Sequence, residues 1–353
     1  MNINILFSCA GRRTYLLKYF RRALAGRGSI VATDMQLSAP ALSAADIVEQ
    51  VPAVYAANYI DVLLSICKRH DVGAVISLND LELPILAARR ELFEEEGICL
   101  IVSPPEVIDI CFDKYRTAQF VESLGISAPK TFINYREALT AIDSGELRFP
   151  LVLKPRWGSG SIGIEFVDDK EEFETVYRLL LKKIKKSILG TASVGEEYIL
   201  IQEKIEGLEY GLDVMNDLNG HHVAVSVKRK LSMRAGETDK AVTVNNPEVR
   251  AIGAAIGRAL HHVGNLDCDV LERDGHYYLL ELNPRFGGGY PFSQEAGVDM
   301  PRAIIEWLLG NEVDPAMLAP KYGLTFAKCD YLVAVGSASN SLAVSELEAR
   351  RGG

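Results

Sequence analysis

Short apolar runs alternate with amphipathic segments over the first part of the chain, and this alternation constrains the fold more than any other feature. The apolar runs predict strands, and the segments between them have helical spacing. Strands that alternate with helices favour a parallel sheet with helices on both faces, and ligands of such sheets bind at the carboxyl ends of the strands. The residues that follow the predicted strands therefore form a candidate substrate-binding rim: Ser8, Gly11, Arg12, Asn79 and Asp80.

The same residues also suit a dinucleotide-binding domain, and two of the rim residues suit helix caps. A strand, a turn, a helix and a second strand that ends at Asp34 are also typical of dinucleotide-binding domains. The three-glycine fingerprint of those domains is absent, because only Gly11 stands in the first loop, so we expect no dinucleotide. At the rim, Asn79 and Asp80 have a second interpretation as caps of the next helix.

The composition is that of an ordinary globular protein. The 353 residues suffice for two or three domains, with 48% hydrophobic and 24% charged content. The net charge of -9 and the lack of a long basic run argue against sequence-independent binding of nucleic acid. The chain begins with a strand rather than a signal peptide, and no apolar stretch reaches the roughly 18 residues of a membrane span. The six cysteines show no metal-type spacing, so we expect reduced thiols in a cytoplasmic protein. Together with the charge and the lack of a membrane span, this predicts a protein that binds neither nucleic acid nor membrane.

The stretch from Glu281 to Gly289, Glu-Leu-Asn-Pro-Arg-Phe-Gly-Gly-Gly, follows an apolar run and carries the strongest chemical signal. Glu281 and Asn283 are two apart, so on a strand they share a face. Pro284 ends the strand, and Arg285 lies just past it. A carboxylate and an amide oxygen suit magnesium, and a neighbouring arginine suits phosphate. A hairpin end with a solvated salt bridge is the alternative.

A second signal combines a lysine with a glycine-rich loop. Lys154 lies at the end of an apolar run, and residues 156–164 follow it with three glycines. A strand, a lysine and such a loop together predict a phosphate cradle made of backbone N–H groups. The loop is not a Walker A sequence, because no Gly-Lys-Ser/Thr opens a helix.

The middle of the chain offers further candidates. After a strand at 198–202, Glu203 to Glu209 could contact an adenine edge and a ribose, or could form a polar hairpin turn. The next predicted strand leads into Lys228-Arg229-Lys230, a candidate anion contact, and residues 234–240 read as a polar loop. Asp267 and Asp269 share one face of a later strand, and the Asp274-Gly275 turn folds that strand against Glu281.

Taken in order, these motifs resemble the ATP-grasp superfamily, and within it the carboxylate–amine ligases related to the large subunit of carbamoyl-phosphate synthase. The resemblance covers about residues 1–310. It rests on the following motifs: Asp113-Lys114, Lys154-Pro155 with its glycine loop, Glu203-x-Ile205-x-Gly207-x-Glu209, Asp269, and Glu281-x-Asn283-Pro284-Arg285.

The resemblance implies a fold and a domain order. A pre-ATP-grasp α/β domain with a parallel sheet (residues 1–105) would precede two α+β subdomains that sandwich ATP. These would be an N-terminal lid subdomain (106–200) and a C-terminal subdomain with the metal site (201–335). Residues 336–353 would be a tail or linker.

The resemblance also implies a role for each matched residue. ATP would be bound by Lys114, Lys154, Gly158, Ser159, Gly160, Ser161, Glu203, Lys204, Ile205 and Glu209, with residues 203–205 as the adenine hinge and Glu209 on the ribose. Two magnesium ions would be bound by Asp269, Glu281 and Asn283, with Asp267 in place of Asp269 if the register differs. The predicted catalytic residues are Arg285, Lys154 and Arg229, and Arg234 joins the rim residues as a substrate-binding candidate.

The expected function is an ATP-dependent ligase that joins a carboxylate to an amine or ammonia through an acyl phosphate and releases ADP and phosphate. One alternative is an ATP-grasp kinase that phosphorylates a hydroxyl or carboxylate and stops there. Others are a nucleotide-binding module without turnover and a biotin-dependent carboxylase. The partners would be small molecules, and a homodimer is possible by analogy with relatives.

Overall fold

The computed structural model describes residues 2–158, 163–187, 189–190 and 197–335. The described chain divides into two compact units. The first contains residues 2–79, Arg89–Leu100 and 329–335, and the second contains Asp80–Ala88 and Ile101–Lys328. None of the helices in these described ranges combines the length and apolar character needed to cross a membrane.

The strands and helices are numbered in chain order. The strands are β1 (Asn4–Ser8), β2 (Ile30–Asp34), β3 (Ile47–Gln50), β4 (Val72–Ser77), β5 (Cys99–Ile101), β6 (Thr131–Phe132), β7 (Leu151–Pro155), β8 (Glu165–Val167), β9 (Ile199–Glu203), β10 (Leu208–Asn216), β11 (His222–Arg234), β12 (Glu237–Thr243), β13 (Asn265–Arg273), β14 (His276–Asn283) and β15 (Thr325–Ala327). The helices are α1 (Thr14–Leu24), α2 (Tyr59–Arg69), α3 (Leu83–Ala87), α4 (Arg90–Glu94), α5 (Pro105–Phe112), α6 (Lys114–Ser123), α7 (Tyr135–Asp143), α8 (Lys170–Lys185), α9 (Pro247–Leu260), α10 (Tyr290–Glu295) and α11 (Met300–Leu308).

The first unit is built on a five-stranded sheet in the order β3-β2-β1-β4-β5. The pairings of β1 with β2 and β4, and of β2 with β3, are parallel, as predicted. The central strand β1 is buried on both faces, since Ile5, Leu6 and Phe7 are inaccessible to solvent. The predicted single helix over 83–95 is instead the two short helices α3 and α4, because Arg89 leaves helical geometry at φ -124°.

The second unit contains two antiparallel sheets. The larger has the order β14-β13-β10-β11-β12-β15, and the smaller has the order β6-β9-β7-β8. The predicted hairpin turn at Asp274-Gly275 is confirmed, with φ of 53° and 77° at the two residues. Helix α9 packs closely on the larger sheet, since a Cβ at Gly253 would lie 2.9 Å from Val225 and 3.0 Å from Leu212.

Side-chain alternation gives the larger sheet one apolar and one charged face. The apolar face, with Leu212, Val214, Val227 and Leu266 among its members, forms a buried core with α5, α6 and α9. Apolar residues between Val107 and Ile126 belong to this core, so they do not form part of a separate 106–200 subdomain as expected. The charged face carries the candidate site.

Two predicted elements differ from those observed. The helix expected over 106–124 is divided at Asp113, which has extended geometry and caps α6 by accepting a hydrogen bond from the Tyr115 N–H. The polar loop expected at 234–240 is a β-hairpin, because β11 continues to Arg234 and β12 begins at Glu237. The sequence also predicts a closing strand within residues 321–335, and β15 confirms it by pairing with β12.

Candidate active site

The β13–β14 hairpin brings the predicted metal ligands together. Asp269 lies directly opposite Glu281 in the antiparallel ladder, and Asp267 lies opposite Asn283. Because alternate residues share a face, all four side chains lie on the charged face of the larger sheet. The Asn283 side-chain amide donates a hydrogen bond of 3.2 Å to Glu281 Oε1.

A β-bulge beside Asp269 alters the alternation on β14. The ladder pairs Asp269 with Glu281 but Val270 with Leu279, so Leu280 is the extra residue. Leu280 consequently lines the same cleft as Glu281, although the two are adjacent in sequence. Simple alternation would have placed Leu280 in the opposite layer, and no local pattern predicts the bulge.

The cleft has a volume of about 150 Å³ and contains both signs of charge. Lys114, Lys154, Glu209, Asp269 and Glu281 supply the charged part of its lining. The remaining lining residues are Pro155, Trp157, Gly158, Ile164, Leu189, Met233, Gly236 and Leu280. Among the described residues, no group of three or more His, Cys, Asp or Glu side chains is arranged to hold a metal; the candidate set is two carboxylates and an amide.

The two lysines of the cleft change the ionisation of its carboxylates. Burial and the neighbouring Lys114 ammonium lower the pKa of Lys154 to about 8. Burial would raise the pKa of Glu281, but the ammonium groups of Lys114 and Lys154 bring it below its ordinary value. Burial raises the pKa of Asp269 to about 7, against the effect of Lys230.

Asp113 and Lys114 form hydrogen bonds to the start of the glycine-rich loop. Arg156 donates to both carboxylate oxygens of Asp113, at 2.8 and 2.7 Å. The Lys114 N–H donates to the Arg156 carbonyl, and the Lys114 ammonium donates to the Gly158 carbonyl. Trp157 is buried and stacks against the Arg156 guanidinium at 4.7 Å. Ser159, Gly160 and Ser161 lie outside the described residues.

Lys230, and not Arg229, belongs to the candidate site. On β11 the side chains alternate, so Lys228 and Lys230 point to the charged face and Arg229 to the other. Lys230 bonds to Glu209 at 2.7 Å and to Asp269 at 2.6 Å. Arg229 instead lines a groove with Tyr210 and the start of α9. It therefore lies on the face of the sheet opposite the candidate site, and the prediction that it is catalytic is wrong.

Arg285 is held by two carboxylates. Its Nε and Nη2 donate to Asp80 Oδ2 at 3.1 and 2.8 Å, and its Nη1 donates to Asp267 Oδ2 at 3.3 Å. Asp80 was predicted to bind substrate, whereas in the structure it positions Arg285. Asp267 also pairs with Arg285, and of the two aspartates it is Asp269 that lines the cleft with Glu281, which favours Asp269 as the metal ligand.

The glycines of residues 287–289 approach charged side chains of the protein itself. A Cβ on Gly287 would lie 2.1 to 2.3 Å from the Asp267 carboxyl group. A Cβ on Gly288 would lie 2.8 Å from the Glu237 carboxyl carbon, and one on Gly289 would lie 2.8 Å from Lys228 Cε. The three glycines therefore make room for Asp267, Glu237 and Lys228. Glycines also let backbone approach a ligand closely, and such an approach at residues 287–289 stays a prediction.

The predicted adenine hinge, residues 203–205, does not direct its charged side chains into the cleft. Glu203 and Lys204 line a separate groove with Lys130 and Arg273, and the Lys130 N–H donates to Glu203 Oε1 at 2.8 Å. Ile205 is buried. A hinge role at this position would therefore use the backbone, and it stays a prediction.

The predicted substrate-binding residues of the first unit follow β1 and β4, which are adjacent parallel strands. Ser8 is buried, Arg12 is exposed, and the Gly11 N–H donates to Asp34 at 2.9 Å. The Asn79 N–H donates to Ser77 Oγ at 3.3 Å. Their substrate role stays a prediction. In the second unit, Arg234 forms an ion pair of 2.9 Å with Asp239 at the β11–β12 turn.

Comparison with known proteins gave matches over most of the chain. Residues 5–101 match the family described as PylC-like, N-terminal domain, and residues 147–291 match the ATP-grasp domain. The carbamoyl phosphate synthase large chain of Mesorhizobium japonicum is 25% identical over 222 residues, which are 57% of this chain and 19% of that protein. The chain thus spans about a fifth of the length of this curated relative.

Solved structures share the fold. The biotin carboxylase domain dimer of Hydrogenobacter thermophilus 2-oxoglutarate carboxylase, solved with MgADP, ADP and bicarbonate, has a TM-score of 0.71 at 18% identity. That match covers 89% of this chain and 71% of the other. The L-amino acid ligase of Bacillus licheniformis has a TM-score of 0.66 at 18% identity, covering 91% of this chain and 76% of the other.

Proposed function

The chain belongs to the ATP-grasp superfamily, and we propose that it is an ATP-dependent ligase that joins a carboxylate to an amine through an acyl phosphate. One observation carries the proposal: Asp269 and Glu281 face each other across a ladder, with Asn283 beside them and two lysines in the same cleft. This combination suits a triphosphate with its metal, since oxygen ligands bind magnesium and ammonium groups bind phosphate.

The donor set fits magnesium. Asp269, Glu281 and Asn283 offer hard oxygen ligands on one face, and the hydrogen bond from the Asn283 amide nitrogen to Glu281 leaves the amide oxygen for a cation. ATP-grasp enzymes use ATP with magnesium, and one structural neighbour was solved with MgADP. We propose two ions, which Asp269, Glu281 and Asn283 would hold.

The other groups of the cleft fit the nucleotide. Lys114 and Lys154 would contact the phosphates, and Glu209 would bind the ribose. Leu280, Ile164 and Met233 add an apolar surface to the cleft that suits a base. The segment Glu203–Ile205 would offer its backbone to the adenine edge.

Magnesium bound here would draw electron density from the phosphate oxygens and so favour attack on the γ-phosphorus. A substrate carboxylate oxygen forms a bond to this phosphorus while the bond to the ADP oxygen breaks. An amine then forms a bond to the acyl carbon and loses a proton, and phosphate leaves with the former carboxylate oxygen. Lys154, Lys114 and Arg285 offset negative charge on the transferring group, which is the main task in such reactions.

The test measures ADP release and trapping of the acyl phosphate. Hydroxylamine replaces the amine, and a panel of amino acids and other small carboxylates is screened with ATP and magnesium. We expect at least one carboxylate to stimulate ADP release and to yield a hydroxamate. ADP release with a stable phosphorylated hydroxyl and no hydroxamate would instead indicate a hydroxyl kinase. A hydroxamate without any amide when amines replace hydroxylamine, and with ADP release that no amine changes, would indicate a carboxylate kinase.

Glu281→Gln is the matched variant for this test. Loss of a carboxylate that would hold the metal should lower ADP release by about 100-fold or more, since each catalytic electrostatic contact contributes on that order. Glu165→Gln, which breaks a surface ion pair with Lys183, should leave the rate unchanged. Equal rates in the two variants would refute the role proposed for Glu281.

The assembly is also a proposal. The Hydrogenobacter biotin carboxylase domain is described as a dimer, and we propose a homodimer for this chain. Light scattering coupled to size-exclusion chromatography should give about twice the 38.8 kDa chain mass.

A further inference from the structure

Lys230 places one ammonium group between carboxylates from two other strands. From β11 it reaches Glu209 Oε1 on β10 at 2.7 Å and Asp269 Oδ1 on β13 at 2.6 Å. Only 7% of its side chain is exposed. In this position its ammonium group forms two short charge-assisted hydrogen bonds, one to each carboxylate.

The strand between Lys230 and Asp269 is shaped for this contact. Gly211 of β10 pairs with Lys228 on one side and with Asp269 on the other. A Cβ at Gly211 would lie 3.3 Å from the Cε atoms of both Lys228 and Lys230. Glycine weakens a strand interior, so its presence here is explained by the passage of the lysine side chains across β10.

The positive and negative charges that line the cleft, together with Lys230, are equal in number. Three carboxylates, Glu209, Asp269 and Glu281, face the ammonium groups of Lys114, Lys154 and Lys230, and beyond them Arg285 pairs with Asp80 and Asp267. At Asp269 a free divalent cation therefore competes with an ammonium already in place. A polyphosphate changes this balance, because it brings negative charge that attracts both the ammonium group and the metal.

We propose that Lys230 makes metal binding conditional on the nucleotide. It is a positioning residue that neutralises Asp269 and Glu209 in the free protein and gives up Asp269 once a polyphosphate offers its oxygens. The proposal rests on the proposed function, in which Asp269 binds metal and Glu209 binds ribose. It adds that the protein takes up its metal with the nucleotide and not before it.

The test is a titration with Mn²⁺, an ion that accepts the same oxygen ligands as magnesium, followed by electron paramagnetic resonance. The wild-type protein and Lys230→Gln are titrated without nucleotide and with a non-hydrolysable ATP analogue. We expect weak binding to the wild type alone and strong binding with the analogue. Without nucleotide, K230Q should bind Mn²⁺ at least about tenfold more tightly than the wild type, since one positive charge beside the ligand has been removed.

Two further variants assign the effect to this site. K230Q combined with Asp269→Asn should lose the added affinity. Lys170→Gln removes an exposed lysine at the start of α8, which pairs with Asp143 at the end of α7, and it should match the wild type. Circular dichroism establishes that each variant is folded.

Two results would overturn the inference while leaving the proposed function standing. One is tight Mn²⁺ binding by the wild type without nucleotide, which requires no variant to fold. The other is a folded K230Q protein that binds Mn²⁺ no more tightly than the wild type. If neither protein bound Mn²⁺ even with the analogue, the metal site of the proposed function would be refuted, and the inference with it.

Discussion

At the scale of single residues, the candidate site depends on charges that are buried but paired. Asp269 forms an ion pair with Lys230, and Arg285 forms one with Asp80. The ammonium groups of Lys114 and Lys154 attract the carboxylate of Glu281. Buried charges are tolerated when each has a partner of opposite sign. The pairing explains how one sheet face holds so many ionisable groups and still belongs to a folded core.

Lys154 gives a prediction about pH. Its pKa of about 8 in the free protein means that it loses its proton as the pH rises through 8. A bound polyphosphate favours the ammonium form and so raises that pKa. Nucleotide binding at pH 8.5 should therefore take up more than about half a proton, and binding at pH 6.5 should take up none at Lys154. Calorimetry in buffers of different ionisation enthalpy measures this; identical heats in all buffers at pH 8.5 would contradict it.

Asp80 gives a prediction about kinetics. Asp80→Asn removes one of the two carboxylates that hold the Arg285 guanidinium. If Arg285 acts on the transferring phosphoryl group, kcat for ADP release should fall by about 10- to 100-fold, with KM for ATP changed by less than about threefold. Asp143→Asn, which breaks the exposed pair with Lys170, is the matched control. A raised KM with an unchanged kcat would refute the positioning role.

At the scale of elements, the β13–β14 hairpin and its neighbours order the site. The turn at Asp274-Gly275 and the alternation of Asp267 and Asp269 could be predicted from sequence, because turn chemistry and period-two spacing are local. The bulge at Leu280 and the reach of Lys230 across Gly211 could not, since both depend on which strands become neighbours. Arg229 was predicted in place of Lys230 for the same reason. In a run of three basic residues, the neighbouring strands determine which side chain faces the site.

Gly207 of the Glu203–Glu209 segment gives a prediction about stability. A Cβ there would lie 1.8 Å from the Glu272 carbonyl oxygen of β13, so the backbone must shift in Gly207→Ala. We expect a loss of about 2–4 kcal/mol in the free energy of unfolding, as for other overpacked sites. Leu208→Ala, at the adjacent exposed position, should cost less than about 0.5 kcal/mol. Urea unfolding that gave equal midpoints would contradict this account of the glycine.

At the scale of the whole molecule, the architecture followed from the sequence more fully than the domain limits did. The parallel sheet of the first unit was readable because its strands and helices alternate. The packing of α5 and α6 was not, because they directly precede the predicted lid segment in sequence but pack on the sheet that β10, β13 and β14 form much later in the chain. Contacts between distant segments, which no local pattern records, decide that packing.

The most direct test of the central claim follows one oxygen atom. A carboxylate found active in the hydroxylamine screen is labelled with ¹⁸O, and the phosphate released with ATP and amine is examined by ³¹P NMR. The account predicts one ¹⁸O atom in each released phosphate, because the carboxylate oxygen that attacks the γ-phosphorus leaves with it. Released phosphate without the label would show that no acyl phosphate forms, and the assignment as a carboxylate–amine ligase would be wrong.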